Sequence, residues 1–152
     1  MTAEQKLKEL GFSLPELSPP LASAHPYVIS GSHIYLSGRG APFEKDQGYK
    51  GKVGGEISAD EAHRHARDVG LYLLALVKHA LGDFARVKQV VKVFGMVNAV
   101  PEFTGHTQVI NGCSDLFVAV LGERGKHARS AIGVASLPRG FAVEIEATVE
   151  FE

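Results

Sequence analysis

The residue best suited to chemistry in this sequence is Arg129, near the start of the predicted strand 128–136 (ARSAIGVAS). Side chains alternate along a strand, and this alternation gives Arg129 three small neighbours on its own face: Ala131, Gly133 and Ala135. Small neighbours leave open space around a guanidinium, whose rigid fork matches a planar carboxylate. The pattern therefore makes Arg129 a candidate anion-binding residue.

A second set of candidates lies on the last predicted strand, 141–151, which alternates apolar and acidic side chains. Its apolar residues, expected to face the helices, are Phe141, Val143, Ile145, Ala147, Val149 and Phe151. If the last two strands pair, Glu144 or Glu146 would lie near Arg129 and could orient a water molecule beside a bound anion. A structural arginine–glutamate salt bridge is the other interpretation, and spacing alone favours it.

The sequence predicts neither a metal site nor a cofactor site. His63 and His65 lie two residues apart on a predicted helix, so they point in different directions. The single cysteine, Cys113, excludes an internal disulfide and a multi-cysteine metal site, and it is expected to be a buried core residue. Gly38-Arg39-Gly40 lacks the strand and helix that flank a dinucleotide-binding loop.

The charge balance argues against nucleic acid as the ligand. Lys and Arg number 16 and Asp and Glu number 17, which gives a net charge of −1 and no long-range field for a polyanion. RNA binding would therefore need a local basic patch. The residues that could form one are Lys88, Lys92, Arg124, Lys126 and Arg129.

The length and the first residues predict one cytoplasmic domain. A chain of 152 residues suits a single core. No apolar h-region follows the first residues (MTAEQK), and no apolar run approaches the roughly 18 residues of a membrane span. We therefore expect a domain over 1–152, with residues 1–24 as an N-terminal helix and extended arm.

The periodicity predicts an α+β fold in the order β-β-α-β-α-β-β after the N-terminal helix. A mixed sheet would carry two helices on one face. Ser58 and Glu61 form the capping-box pattern at the start of the first long helix. The predicted elements are a helix at 3–10, strands at 27–30 and 33–37, a loop at 38–56, a helix at 58–81, a strand at 87–97, a helix at 104–121, and strands at 128–136 and 141–151.

The strand at 87–97 is apolar on both faces. Alternation assigns Val87, Val91, Val93 and Val97 to one face and Val90, Phe94 and Met96 to the other. Because the two helices cover only one face, the other face requires a partner, and we expect an oligomer.

The C-terminal segment HARSAIGVASLPRGFAVEIEATVEF (127–151) resembles the signature of the Rid family, also called YjgF/UK114 or L-PSP. The similarity continues in GSHIYLSG (31–38), VVKVFGMVNAVPEF (90–103) and VINGCSDL (109–116), and it spans roughly residues 25–151. The N-terminal helix, the SLPELSPP segment and the KVGGE loop resemble a longer branch of the family that is often without an assigned activity.

The resemblance implies a chorismate-mutase-like fold and a homotrimer whose sheets form a central barrel, with three clefts between subunits. It implies an enamine/imine deaminase that hydrolyses 2-imino acids to 2-keto acids and ammonia without a cofactor. A non-catalytic trimer that binds or senses a small carboxylate is an alternative. An L-PSP-type endoribonuclease or translation inhibitor is a further alternative, ranked lowest because the chain is nearly neutral.

The resemblance also assigns roles to individual residues. Arg129 would grip the substrate carboxylate, Glu144 would position the water, and Asn111 would line the cleft. The backbone of Ser37 and Gly38 would contribute to substrate binding as well.

Three positions depart from the family pattern. The common cysteine two residues after the arginine is Ala131, and the usual glutamine after Ser-Gly is Arg39, which would add a second positive charge to the cleft. Tyr27 falls later than the tyrosine that the family places there.

Overall fold

The computed structural model describes residues 1–19, 23–40 and 50–152. Residues 41–49 of the predicted loop 38–56 lie outside the described residues, as do residues 20–22 of the predicted arm. The described helices are α1 (Ala3–Glu9), α2 (Ala59–Leu81) and α3 (His106–Leu121). The described strands are β1 (Tyr27–Ser30), β2 (His33–Arg39), β3 (Val87–Asn98), β4 (Ala128–Val134) and β5 (Val143–Phe151).

Side-chain caps explain where the first two helices begin. The Ser58 hydroxyl accepts a hydrogen bond from the Glu61 backbone N–H at 3.1 Å, as the predicted cap of α2 requires. At α1, Thr2 and Gln5 form a complete capping box, in which each side chain accepts from the other's backbone N–H. The α2 helix ends at Gly82, whose φ of +77° favours glycine.

The five strands form one mixed sheet in the order β1-β2-β5-β3-β4. The β1–β2, β2–β5 and β3–β5 pairs are antiparallel, and the β3–β4 pair is parallel. The helices α2 and α3 pack on one face of this sheet, and the apolar core lies between them and the strands. The predicted mixed sheet with two helices on one face is therefore confirmed.

The predicted alternation of the last strand is confirmed from Val143 onward. Val143, Ile145, Ala147 and Val149 are buried under the helices. Phe141 was predicted to belong to the same set, but it precedes β5 and is only partly buried, whereas Ala142 is fully buried. The strict two-residue alternation starts only where β5 begins to pair with β3.

The predicted faces of β3 are wrong at two positions. Val90 is 2% exposed and lies in the core, whereas Val91 is 37% exposed. The register explains the difference, because Val90 and Lys92 pair with the consecutive residues Val149 and Thr148 of β5. Val91 is therefore the extra residue of a β-bulge, and a bulge inverts the alternation of the strand.

The face of the sheet opposite the helices exposes apolar side chains. Tyr35 is 50% exposed and Ile132 is 42% exposed, and Phe94 and Met96 are only partly buried. This is the face for which the sequence requires a partner.

Candidate functional site

Arg129 lies on β4 and points toward α3. Its Nη1 atom donates one hydrogen bond to Asn111 Oδ1 at 2.7 Å and another to Ser114 Oγ at 3.0 Å. Asn111 and Ser114 are three residues apart on α3 and so share one side of the helix. The structure thus places Arg129 and Asn111 together, and the helix fills much of the space that the sequence left open around the guanidinium.

The close approach of α3 to the sheet makes these bonds possible. Gly95 of β3 lies beneath Ile110, and a Cβ atom at this glycine would lie 2.6 Å from Ile110 Cδ1. On β4, Gly133 lies directly under the His106 ring. Glycines at both positions let α3 pack close enough to β4 for Asn111 to reach Arg129.

His127 extends the polar cluster from Arg129. Its Nδ1 atom lies 2.6 Å from the Gly125 carbonyl oxygen, and its Nε2 atom lies 2.8 Å from Ser114 Oγ. The Phe117 ring packs edge-on against the imidazole, with 6.1 Å between ring centroids. Burial lowers the pKa of His127 and the positive charge of Arg129 lowers it further, although the bond to Gly125 opposes them. The lowered pKa favours the neutral form of the imidazole.

Sequence reasoning missed both Ser114 and His127 as candidate site residues. The signal was present in the spacing: Ser114 follows Asn111 by three residues on a helix, and His127 precedes Arg129 by two residues in extended backbone. Cys113, which is adjacent to Ser114, is fully buried, as predicted for a core residue. Burial raises the pKa of its thiol, so the thiolate is not available as a nucleophile.

Glu144 lies on β5, on the face of the sheet away from the helices. A bulge in β2 between Leu36 and Arg39 places Gly38 beside it, and a Cβ atom on Gly38 would lie 2.7 Å from Glu144 Oε2. Burial raises the pKa of this carboxyl, and the nearby charge of Glu146 raises it further. The neighbouring Ser37 hydroxyl donates to the His25 carbonyl oxygen at 2.6 Å.

Within one chain, Arg129 and Glu144 do not form a common site. The prediction that the last two strands could pair is wrong, because β3 lies between β4 and β5 and Val93 pairs with both Arg129 and Ala147. Two strand spacings separate the backbones by roughly 10 Å, and the two side chains leave opposite faces of the sheet. This arrangement also excludes the salt bridge between them.

Arg39 pairs with Ile145 of β5, next to Glu144, but its side chain extends to the helix side of the sheet. Its guanidinium lies over the Tyr72 ring, 4.2 Å from the centroid, and its Nη2 atom donates to Ser18 Oγ at 3.1 Å. The bulge in β2 turns Arg39 toward the helix face at the level of Ile145. The expectation that Arg39 adds a second positive charge to the cleft stays a prediction.

Ala131 and Tyr27 also have defined positions. Ala131 follows Arg129 on the same face of β4 and packs partly buried against the core, next to Gly95. The Tyr27 hydroxyl lies 2.8 Å from Nδ1 of His79 on α2, well away from Arg129 in the fold. Of the sequence-predicted residues, Arg129, Asn111 and Ala131 thus lie on one side of the sheet, apart from the group around Glu144.

Among the described residues, no group of three or more His, Cys, Asp or Glu side chains is placed to hold a metal ion. None of the described helices is both long enough and apolar enough to cross a membrane.

The fold and the arginine site define a class of small α+β proteins. The chain matches a family model described as "YjgF/chorismate mutase-like, putative endoribonuclease" over residues 4–142. It therefore belongs to the YjgF/chorismate mutase-like family, and the resemblance to the Rid family is confirmed.

Individual relatives agree with this assignment. The Trypanosoma cruzi protein TCP17 is 41% identical over 145 residues, which cover 95% of this chain and 91% of that protein. The crystal structure of Atu1372 from Agrobacterium tumefaciens, a protein of unknown function, is 43% identical with a TM-score of 0.91 and covers 99% of this chain and 94% of that one. RidA from an Antarctic Psychrobacter is 26% identical with a TM-score of 0.60, covering 88% of this chain and 92% of that one.

Proposed function

We propose that this protein is an enamine/imine deaminase-like hydrolase that converts small 2-imino acids to 2-keto acids and ammonia. The observation that carries the proposal is the state of the Arg129 guanidinium. Both hydrogen atoms of Nη1 are used by Asn111 and Ser114. Among the described residues, no partner takes the hydrogens of Nη2 and Nε, so this edge is available to a substrate carboxylate.

Glu144 is the proposed general base. Its pKa is raised toward neutral pH, and a group whose pKa lies closer to the working pH is better able both to accept and to return a proton. The carboxylate takes a proton from water as the water oxygen bonds to C2 of the imino acid and the C=N double bond becomes a single bond. Return of this proton to nitrogen gives a carbinolamine, which carries an NH2 group and a hydroxyl on C2. The carboxylate then takes the hydroxyl proton and passes it to nitrogen as the C=O bond forms and the C–N bond breaks, which releases ammonia.

We further propose that the complete site forms between the subunits of a homotrimer. Arg129 and Glu144 lie on opposite faces of the sheet within one chain. The exposed apolar face that includes Tyr35 and Ile132 supports an association that would bring the Glu144 group of one subunit to the Arg129 group of the next. A trimer by multi-angle light scattering is the expected state, and Ile132→Glu should dissociate it.

The direct test generates 2-iminopropanoate or a longer imino acid in situ and follows its decay. We expect acceleration over solvent that Arg129→Ala abolishes and that Arg64→Ala, a change at an exposed position of α2, leaves intact. Absence of acceleration for every imino acid tried would refute the deaminase proposal. An Arg129→Ala rate equal to the wild-type rate would remove Arg129 from the mechanism.

Mixed trimers test the placement of the site between subunits. Arg129→Ala and Glu144→Gln subunits are each expected to be inactive alone. In a cyclic trimer that contains both, one of the three clefts combines an intact Arg129 with an intact Glu144, so about a third of the activity should return. No recovery in verified mixed trimers would show that the two residues do not act across a subunit boundary.

A second candidate function is a trimer that binds small carboxylates without turnover. The separation of Glu144 from Arg129 within the chain favours this candidate, because the guanidinium edge can bind an anion without the glutamate. It predicts saturable binding of 2-keto acids and no acceleration of imino acid decay. The endoribonuclease activity in the family description is tested with RNA and the Arg129→Ala variant as the control.

A further inference from the structure

The cluster around Arg129 continues through two residues that the proposed reaction does not use. The contacts run from the Gly125 carbonyl to His127, from His127 to Ser114, and from Ser114 to Arg129. We propose that His127 and Ser114 are positioning residues, in which a neutral His127 holds the Ser114 hydroxyl so that its oxygen fixes the Arg129 guanidinium for a carboxylate. This inference rests on the proposed function, and it adds two residues that position the arginine of the same site.

For a neutral ring, hydrogen-bond chemistry allows one consistent assignment of the protons. The Gly125 carbonyl can only accept, so Nδ1 of His127 carries the hydrogen of a neutral ring. The Nε2 atom is then an acceptor, and it receives the hydroxyl hydrogen of Ser114. The lone pairs of Ser114 Oγ are thereby left to accept from Nη1 of Arg129. In this series of hydrogen bonds, each donor thus faces an acceptor.

Protonation of His127 would disturb this arrangement. The Nε2 atom would become a donor, and Ser114 Oγ would then face two cationic donors, imidazolium and guanidinium. The elements packed against the imidazole contribute Ser114 and the Phe117 ring from α3, the Gly125 carbonyl from the preceding turn, and the charge of Arg129 from β4. The charged neighbour that acts on the ring is therefore the arginine that it helps to position.

The arrangement also determines which edge of the guanidinium is presented. Asn111 and Ser114 occupy the two hydrogen atoms of Nη1, so rotation of the guanidinium is restrained at two points. Loss of the Ser114 bond would leave one restraint, and the Nη2–Nε edge would no longer be fixed toward the ligand.

The first test is spectroscopic and does not depend on any activity. A long-range ¹H–¹⁵N spectrum of the histidines at pH 7.5 reports which ring nitrogen of His127 carries the hydrogen. We expect the neutral Nδ1–H form in the wild type and a changed His127 signal in Ser114→Ala. An Nε2–H form, or a charged ring at this pH, would overturn the proposal even if the protein hydrolyses imino acids.

The second test measures 2-oxobutanoate binding by NMR titration, together with kcat/KM for the matching imino acid. We expect Ser114→Ala and His127→Phe to weaken binding by about 5–10-fold, which is the typical effect of losing one ordinary hydrogen bond. His127→Gln keeps an acceptor near the Nε2 position and should restore binding to within about twofold, whereas His33→Phe on β2 should have no effect. Wild-type affinity in His127→Phe at an unchanged unfolding midpoint would refute the positioning role.

The two proposals fail in different ways. If the wild type binds no 2-keto acid and accelerates no decay, the proposed function fails, and the His127 spectrum still decides the proton assignment. If the wild type is active and His127→Phe is equally active, only the positioning proposal fails.

Discussion

Gly112 lies where α2 and α3 cross, and we expect Gly112→Ala to destabilise the protein and to weaken its arginine site together. A Cβ atom at this position would enter the backbone of α2, well inside van der Waals contact with the His63 carbonyl oxygen and 3.0 Å from the Arg67 nitrogen. Backbone atoms within a helix cannot rotate away as the end of a side chain can. The two helices must therefore separate.

The size of the effect follows from two opposing contributions. Overpacking a close-packed core costs about 1–3 kcal/mol, and backbone meeting backbone belongs at the upper end of that range. Alanine is favoured over glycine in a helix by about 1 kcal/mol. The net loss is then about 2 kcal/mol, which for a chain of this size lowers Tm by about 4–8 °C.

Gly70→Ala is the matched control, because Gly70 occupies the α2 side of the same helix pair. A Cβ atom there would meet Leu116 Cδ2 at 3.0 Å, Cys113 Sγ at 3.2 Å and Cys113 Cα at 3.3 Å. Two of these three atoms belong to side chains that can adjust, and the gain in helix propensity offsets much of the strain. We expect the stability of Gly70→Ala to stay within about 1 kcal/mol of the wild type.

Thermal and urea unfolding followed by circular dichroism measure both variants. Binding of 2-oxobutanoate adds a functional readout, because Asn111 and Ser114 flank Gly112 and would move with α3. We expect weaker binding for Gly112→Ala than for Gly70→Ala, measured well below either Tm. Equal stability of the two variants would refute the argument, since it would mean that α3 can move from α2 at no cost.

Two predictions concern pH. Burial raises the pKa of Glu144 above the ordinary value of 4.5, so the stabilisation from its bound proton is lost as pH rises through the folded pKa. Glu144→Gln should therefore be more stable than wild type at pH 8 and equal to it at pH 4. Burial lowers the pKa of His127 from 6.5, so on acidification the histidine takes up a proton in the unfolded state before it does so in the folded state. The free energy of unfolding of the wild type should therefore fall between pH 7 and pH 5. This fall should be smaller in His127→Phe. Urea midpoints across pH 4–8 measure both effects, and parallel curves for wild type and variant would contradict either one.

Local patterns were sufficient to predict the elements of this fold. The serine cap at Ser58 and the helical spacing that follows placed α2, and the apolar–acidic alternation placed β5 with its buried face correct from Val143. Such signals depend on neighbours within a few residues, so the sequence contains them directly.

Errors arose where the answer depends on distant residues. The bulge at Val91 arises from pairing with β5, and the residues of β3 alone do not predict it. The position of β3 between β4 and β5 is a property of the whole sheet, so adjacency in sequence suggested a pairing that does not occur. For the same reason, Ser114 and His127 could be assigned to the arginine site only from the position of α3 over β4.

The topology also separates the two halves of the proposed site, and this separation leads to a final prediction. Asn111, Ser114, His127 and Arg129 belong to the continuous unit in which α3 connects the parallel strands β3 and β4. Glu144 lies on β5, where it pairs with Met96 of β3 and extends from the opposite face of the sheet. Anion binding and water activation should therefore respond to different substitutions.

Glu144→Gln, which conserves shape and removes the charge, should bind 2-oxobutanoate within about twofold of wild type while kcat falls by about 10²–10⁴-fold. Asn111→Ala should show the opposite balance, with weaker binding as the main loss, because it releases Nη1 of Arg129 without altering Glu144. Titration and steady-state kinetics on the same preparations distinguish these outcomes. If Glu144→Gln loses binding and turnover in equal proportion, the glutamate contributes to holding the anion, and the division of labour inferred from the topology is wrong.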